Sequence, residues 1–330
     1  MSTVLEVQVS THKRISYIDA IVEAQIEEMQ RDERVILIGE DLIIYGDGKI
    51  VSTFGGSRVW STPISENSFC GMAVGAAMTG LRPIVAFNIA SFMYLPSDQI
   101  INQAAKLHYM TGGQMKVPAV FRCSMYYNTS IAAQHSDRPY PMYMNAPGLK
   151  LIAPSTPADM KGLLKSAIRD DDPVLVFEDS TLWTTKGDVP ADPDNLVPIG
   201  KADIKLEGSD VTLISIAGCM KPAMAAAGQL RNEGISVELV DPRTLVPLDK
   251  ETIIQSVAKT GRVVIVDNAH RTCNAAAEIA AVIAEEAFEF LRRPIRRLST
   301  PDVHIPFSPV LEKPLYPSKE TIIEAIKALL

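Results

Sequence analysis

The chain is predicted to be an α/β protein of two domains, each built on a parallel sheet. Segments with apolar residues at helical spacing alternate with short apolar runs, the pattern of strands joined by covering helices. The alternation breaks once, at PADPDNLVP (Pro190 to Pro198), which is rich in Pro and Asp and has no periodicity, and then resumes. The chain is also large enough: its 330 residues, 47% hydrophobic and 22% charged, can build two medium cores.

The elements follow in order. After a polar leader of about fifteen residues, Tyr17 to Glu33 has helical apolar spacing and Val35 to Gly39 reads as a buried strand. A helix opening at Glu66, capped by Ser65 or Ser61, runs through Gly71, Ala73, Gly75, Ala76, Ala77 and Gly80, small residues that permit close packing in a buried position. Next come a strand at Pro83 to Asn88, a helix at Ser97 to Thr111, and strands at Pro118 to Arg122 and near Leu149 to Ala153. Pro157 to Arg169 is a helix and Val174 to Glu178 a strand. Beyond the break, strands are expected at Asp210 to Ala217, Ser236 to Asp241 and Arg262 to Asp267. Helices are expected at Lys221 to Glu233, Asp249 to Thr260 and Asn274 to Leu291. Strands spaced by helices of this length imply parallel pairing through right-handed crossovers.

The net charge is −7 with both signs interspersed, which argues against nucleic acid and against a polybasic membrane anchor. Cys70, Cys123, Cys219 and Cys273 are widely spaced, form no CxxC pair and lie in or beside apolar runs, as buried reduced thiols do. No apolar run reaches the roughly 18 residues a membrane span needs. The N-terminus has neither a signal-peptide hydrophobic region nor an Arg-rich presequence, so a cytoplasmic location is expected.

Glu66 is the most informative side chain. It is the one carboxylate at the mouth of a run that carries no further charge until Arg82. An acid entering an apolar environment persists by pairing or by sharing a proton with a bound partner. An anion favoured by the helix N-terminus accounts for it equally well on the residues alone.

The motifs TPISE with its small-residue helix, GLRPI, DQIINQAAKLHYMTGG, AAQHS, PGLKLIAPSTPADMKGLLKSAIRDDDPV, DPRTLVPLD and KTGR keep their order and spacing along the chain. In them it closely resembles the beta subunit of the decarboxylating component of 2-oxo acid dehydrogenase complexes, of the pyruvate, acetoin and branched-chain type. The resemblance implies a transketolase-like pyrimidine-binding domain over residues 1–190, a linker over 191–205 and a transketolase C-terminal-like domain over 206–330. It also implies thiamine diphosphate shared with an alpha subunit that holds Mg2+, in an α2β2 heterotetramer. Pyruvate, a similar 2-oxo acid or acetoin would be the substrate, and a lipoyl-bearing dihydrolipoyl acyltransferase the acceptor.

Carried over residue by residue, the resemblance puts the family's conserved acid on Glu66, hydrogen-bonded to the aminopyrimidine ring of the cofactor. Phe92 in SFMY falls where an aromatic side chain packs on that ring; its other reading is an ordinary core Phe. His135 in AAQHS falls on the active-site histidine near the substrate and the incoming lipoyl group, where an imidazole orients a carboxylate or moves a proton. Without the resemblance it would be a surface or hydrogen-bonded histidine. Ala119, Ala167, Ile168, Asp170 and Asp172 match positions where some members hold potassium, mainly by backbone carbonyls; RDDDP reads as naturally as a solvated helix end.

GDG at Gly46 to Gly48 is read as a turn rather than a diphosphate signature, because the Asn residues that should follow are replaced by MAVGAAM. The chain alone is therefore not expected to hold the diphosphate and its magnesium, and the resemblance implies that a separate alpha subunit does so. Met125, Tyr126 and Tyr127 are bulky where many relatives carry glycines, and Leu95 stands where pyruvate-type members often have Gln. TCNAAAEI, near Cys273, replaces a usual glycine-rich turn. Two further readings stay open: a carboligase or acyl transferase that does not use lipoamide, and a non-catalytic scaffold.

Overall fold

The computed structural model describes residues 11–42 and 48–330. In the N-terminal half the strands are β1 (His12–Ser16), β2 (Val35–Gly39), β3 (Val59–Ser61), β4 (Arg82–Phe87), β5 (Val120–Met125), β6 (Lys150–Ile152), β7 (Val174–Asp179) and β8 (Lys186–Pro190). The helices are α1 (Tyr17–Arg31), α2 (Gly48–Phe54), α3 (Glu66–Met78), α4 (Ala105–Met110), α5 (Tyr140–Met144) and α6 (Pro157–Arg169). The C-terminal half adds β9 (Asp203–Leu206), β10 (Val211–Ser215), β11 (Val237–Asp241), β12 (Thr244–Val246), β13 (Val263–His270) and β14 (Arg296–Thr300). Its helices are α7 (Met220–Asn232), α8 (Lys250–Thr260), α9 (Ala275–Glu286), α10 (Pro309–Glu312) and α11 (Lys319–Lys327). Of the GDG turn, only Gly48 falls within the described residues, as the first residue of α2.

Among the described residues there are two main sheets, ordered β12-β6-β7-β5-β4-β2-β3 and β14-β13-β10-β11-β9, and a two-stranded antiparallel pair of β1 with β8. Within the main sheets all pairings are parallel except two at the edges, β12 on β6 and β9 on β11. The all-parallel expectation is corrected at those edges. Local sequence explains the helix starts. Ser16 and Asp19 form a reciprocal capping box on α1, and Thr156 caps α6 ahead of Pro157.

Alternation along the strands assigns the two faces of the first sheet. Val35 and Leu37 join the cluster under α1 and α6, whereas Ile36 and Ile38 face the opposite way, into a cluster with Val240 and Ile265 of the second sheet. A third cluster packs β10, β11 and β13 against α7 and α11.

Several expectations are corrected. β3, β8, β9, β12, β14, α2, α5, α10 and α11 lie outside the expected elements, and residues 12–16 of the expected leader form β1. The 97–111 helix begins as a π-helical stretch over Asp98–Ala104, and the last predicted helix stops at Glu286. Cys70, Cys123 and Cys219 are buried, but Cys273 is exposed. Residues 191–199 are strapped to α6: Ser166 Oγ donates to the Val197 carbonyl at 2.6 Å, and Gly162 has no room for a side chain against Val197. No helix of the described residues is long and apolar enough to cross a membrane.

Candidate active site

Four segments leave the carboxyl ends of the adjacent parallel strands β3, β2, β4 and β5, the edge of an open sheet where crevices form. β3 leads to Glu66 at the first turn of α3, and β2 runs directly into Glu40. β4 leads to the short turn holding Phe92, and β5 to the loop that ends at His135.

Glu66 is buried, at 7% exposure. Ser65 precedes it but does not cap the helix with its side chain; its hydroxyl donates to the Pro63 carbonyl at 3.0 Å. The small-residue face of α3 admits Gln99 of the π-helical stretch against Gly71, where an added Cβ would lie 3.1 Å from the amide oxygen. The opposite face departs from expectation. Met72 and Gly75 are exposed, and nothing lies within 4 Å of a Cβ placed on Gly75.

Glu40 was not picked out by sequence reading. It is 1% exposed, and among the described residues neither carboxylate oxygen has a hydrogen-bond partner. Burial, then the neighbouring Glu66 and Asp41, push its ionisation up to about 7. Its sequence signal was a charged pair directly after a wholly apolar strand. The strand end is also held tightly, because a Cβ at Gly39 would meet the Ala86 carbonyl oxygen at 2.5 Å.

A stability prediction follows from Glu40. Its carboxyl ionises near 7 when folded and near 4.5 when unfolded, so the native state keeps a proton that the unfolded chain releases. That contribution is complete below the unfolded value and is lost as pH rises through the folded one. Glu40→Gln should therefore gain on the parent from about pH 5 to about pH 8. Urea midpoints of both proteins across that range check it; parallel curves would remove Glu40 as the cause.

Phe92 and His135 come together from separate loops. Their ring centroids are 5.7 Å apart in an edge-on contact. Tyr143 donates to the Met93 carbonyl at 2.6 Å and anchors the Phe92 turn. Burial and then Asp137 push the Tyr94 hydroxyl up to about 12, a second link between the same two loops. A half-buried aromatic face on the same sheet edge as two buried acids fits a planar heterocycle able to donate and accept hydrogen bonds.

The chain matches two families end to end: the transketolase pyrimidine binding domain over residues 13–184 and the transketolase C-terminal domain over 200–322. It is 44% identical to the acetoin:2,6-dichlorophenolindophenol oxidoreductase subunit beta of Bacillus subtilis, over 96% of this chain and 97% of that protein. It is also 44% identical to the pyruvate dehydrogenase E1 component subunit beta of Rickettsia felis, over 95% and 98%. With the 2-oxoisovalerate dehydrogenase subunit beta of Bacillus subtilis it shares 41% identity, over 96% and 98%. It belongs to the beta subunits of the 2-oxo acid and acetoin dehydrogenases. The fold of this beta-type chain also matches a solved split gene transketolase described as an inactive beta4 tetramer, with TM-score 0.79 at 21% identity, covering 96% of this chain and 98% of that one.

The five positions linked by resemblance to potassium cluster around the end of α6 in this beta-type chain, but their oxygens are already in use. The Ala119 carbonyl accepts from the Val174 amide at 3.0 Å and the Ala167 carbonyl from the Asp170 amide at 3.2 Å. Arg82 Nε donates to the Ile168 carbonyl at 2.8 Å, and Nη2 donates to the Asp170 carbonyl. Lys150 Nζ lies 2.7 Å from the Asp170 carboxylate and 3.0 Å from that of Asp172. Two side-chain cations thus serve three of the five positions, and each carbonyl keeps a second lone pair. Among the described residues, no cluster of three or more His, Cys, Asp or Glu side chains is arranged to hold a metal.

Proposed function

We propose that this chain, paired with an alpha-type subunit, forms a thiamine diphosphate-dependent site that acts on a 2-oxo acid or acetoin and passes the acyl group to a lipoyl-bearing acyltransferase. The observation that carries the reading is the convergence of buried Glu66 and Glu40 with the Phe92–His135 contact at the carboxyl edge of four adjacent strands. Three beta-subunit relatives at 41–44% identity support the same reading.

Phe92 would pack on the aminopyrimidine ring, and Glu66 would hold a hydrogen bond, with its shared proton, at a ring nitrogen. When bound, thiamine diphosphate supplies the carbon nucleophile and electron sink that cleavage next to a carbonyl requires. In a dry pocket the Glu66 hydrogen bond is stronger than in water. Glu40, whose ionisation lies near neutrality, would keep a second proton close to Glu66 and limit the repulsion between the two carboxyls. His135 would orient the carboxylate of the 2-oxo acid or move a proton during acyl transfer. Magnesium and the diphosphate fall to the alpha-type subunit; potassium has no part in the proposal.

The need for a partner is supported by apolar side chains left uncovered on the segments around the site. Ile64, two residues before Glu66, and Leu95, just after the Phe92 turn, are 74% and 63% exposed. The test is thiamine diphosphate binding and 2-oxo acid decarboxylation, measured with the chain alone and co-expressed with the alpha-type subunit. Activity only in the mixture, with acyl transfer to a lipoyl domain, is expected. Turnover by the chain alone would overturn the shared site. Turnover without lipoyl transfer would favour a carboligase, and none in either preparation a scaffold.

A further inference from the structure

The chain from Tyr126 to Ala132 joins the end of β5 to His135, and it holds a conformation that its residues disfavour. Asn128, Ser130 and Ala132 have φ of 55°, 57° and 65°, and none is glycine. Ala132, with ψ of −174°, lies in a region almost reserved for glycine. Such a backbone persists only where its surroundings over-determine it.

Here the surroundings come from the other end of the sequence. The amides of Thr129 and Ser130 donate to Oε1 and Oε2 of Glu312 at 3.3 and 2.9 Å. The Tyr316 hydroxyl also donates to Glu312 Oε1 at 3.3 Å. Left-handed residues alternating with an ordinary one turn successive amides to the same side, a concavity suited to an anion. Glu312 is fully buried in it, satisfied by two amides and a phenol.

The outer wall is fixed with it. Tyr127 packs edge-on against Tyr316 at 4.9 Å, and the Arg138 guanidinium lies 4.7 and 5.7 Å from the two ring centres. Arg138 also donates to the carbonyls of Tyr126 and Ser136 at 2.6 Å, on either side of His135 in sequence.

We propose that Glu312 is a positioning residue. Its carboxylate holds residues 128–130 in the strained turn, and thereby sets His135 against Phe92 and the aromatic wall at its working distance. The proposal rests on the function given above. It also assigns a role to the bulky Met125–Tyr127 stretch: these rings are committed to packing on Trp183 and Tyr316, so the wall is rigid rather than adaptable.

The test uses the full chain with its alpha-type partner, as E312Q, E312A and the double variant E312Q/S130G. Chymotrypsin cleavage after Tyr126 or Tyr127 and the emission of Trp183, read in a Trp60→Phe background, follow the loop without reference to catalysis. Kinetics follow His135. E312Q should raise loop cleavage about tenfold and shift Trp183 emission. It should lower kcat/KM for the 2-oxo acid about 10- to 100-fold, with cofactor affinity changed less than about twofold. S130G, which removes the left-handed penalty, should recover part of both losses. Unchanged cleavage and emission in E312Q and E312A would overturn the proposal. So would a kinetic loss that tracks thermal midpoint across the variants and is not recovered by S130G. If the parent complex has no thiamine diphosphate-dependent turnover, the proposed function fails, while cleavage and emission still decide whether Glu312 holds the loop.

Discussion

Glu66→Gln in the reconstituted complex is expected to lower turnover by about 10²–10⁴-fold while the thermal midpoint of the chain holds or rises. Gln matches Glu in shape and keeps the packing of the first turn of α3, so the buried site is neither emptied nor overfilled. What it loses is a group that can share a proton in a dry pocket. It also removes a negative charge from beside Glu40, whose ionisation Glu66 helps to raise, so the native state gains at neutral pH and above. A structural role would predict the opposite pairing, with a lower midpoint and near-normal turnover. Steady-state decarboxylation and a melting curve at about pH 8, on the same preparations, separate the two.

Lys205→Met is the largest stability effect expected, a loss of about 3–5 kcal/mol. Lys205 Nζ lies 2.5 Å from Asp159, 2.6 Å from Asp203 and 3.8 Å from Asp241, and Arg243 reaches Asp159 at 2.8 Å. Asp159 stands on α6 of the first domain and Lys205 on β9 of the second, so this buried network ties the two together. Asp241 is fully buried, and that burial raises its ionisation to about 6 against the opposing pull of Lys205. Ser155 donates to it.

Without the ammonium, Asp241 must be buried as an uncompensated anion or held protonated, and Asp159 keeps only Arg243 as its cation. The folded ionisation of Asp241 then rises further, and that of Asp159, which Lys205 and Arg243 hold below its ordinary value against its burial, moves up, so the penalty is full above the folded values and fades as pH falls toward 3.8. Urea midpoints should therefore separate widely from the parent at about pH 8 and converge by about pH 5. Equal losses at both would assign the effect to packing of the lysine stem.

The legible part of the fold was the part made by near neighbours. The strand Val35–Gly39 and the helix Pro157–Arg169 match their expected spans residue for residue, because an apolar run and an N-terminal Thr-Pro pair state their own ends. β12 could not be read this way. Its three residues follow DPR in the second half of the chain but pair antiparallel with β6 of the first sheet. β9 and β14 are similarly short or half-exposed, and β14 carries a charged start, so neither shows a buried-strand pattern.

The site divides in the same way. Glu66 was visible as a physical anomaly, an acid before a chargeless run of small residues. Phe92 and His135 became visible only through family resemblance, since an aromatic and an imidazole 43 positions apart carry no local sign of their contact. Glu40 had the weaker signal of a charged residue at a strand end, and Glu312 had none.

The sequence by itself determined the central strands and the long helices that cover them, the alternation of faces along those strands, and the α/β class, because those depend on residues within a few turns of one another. Tertiary structure alone decided that Glu40 and Glu66 are buried as electrostatic neighbours, that Arg82 and Lys150 serve oxygens of Ile168, Asp170 and Asp172, and that Glu312 meets a loop 182 residues before it. Those outcomes depend on burial and on distances between remote residues, which a linear pattern does not contain.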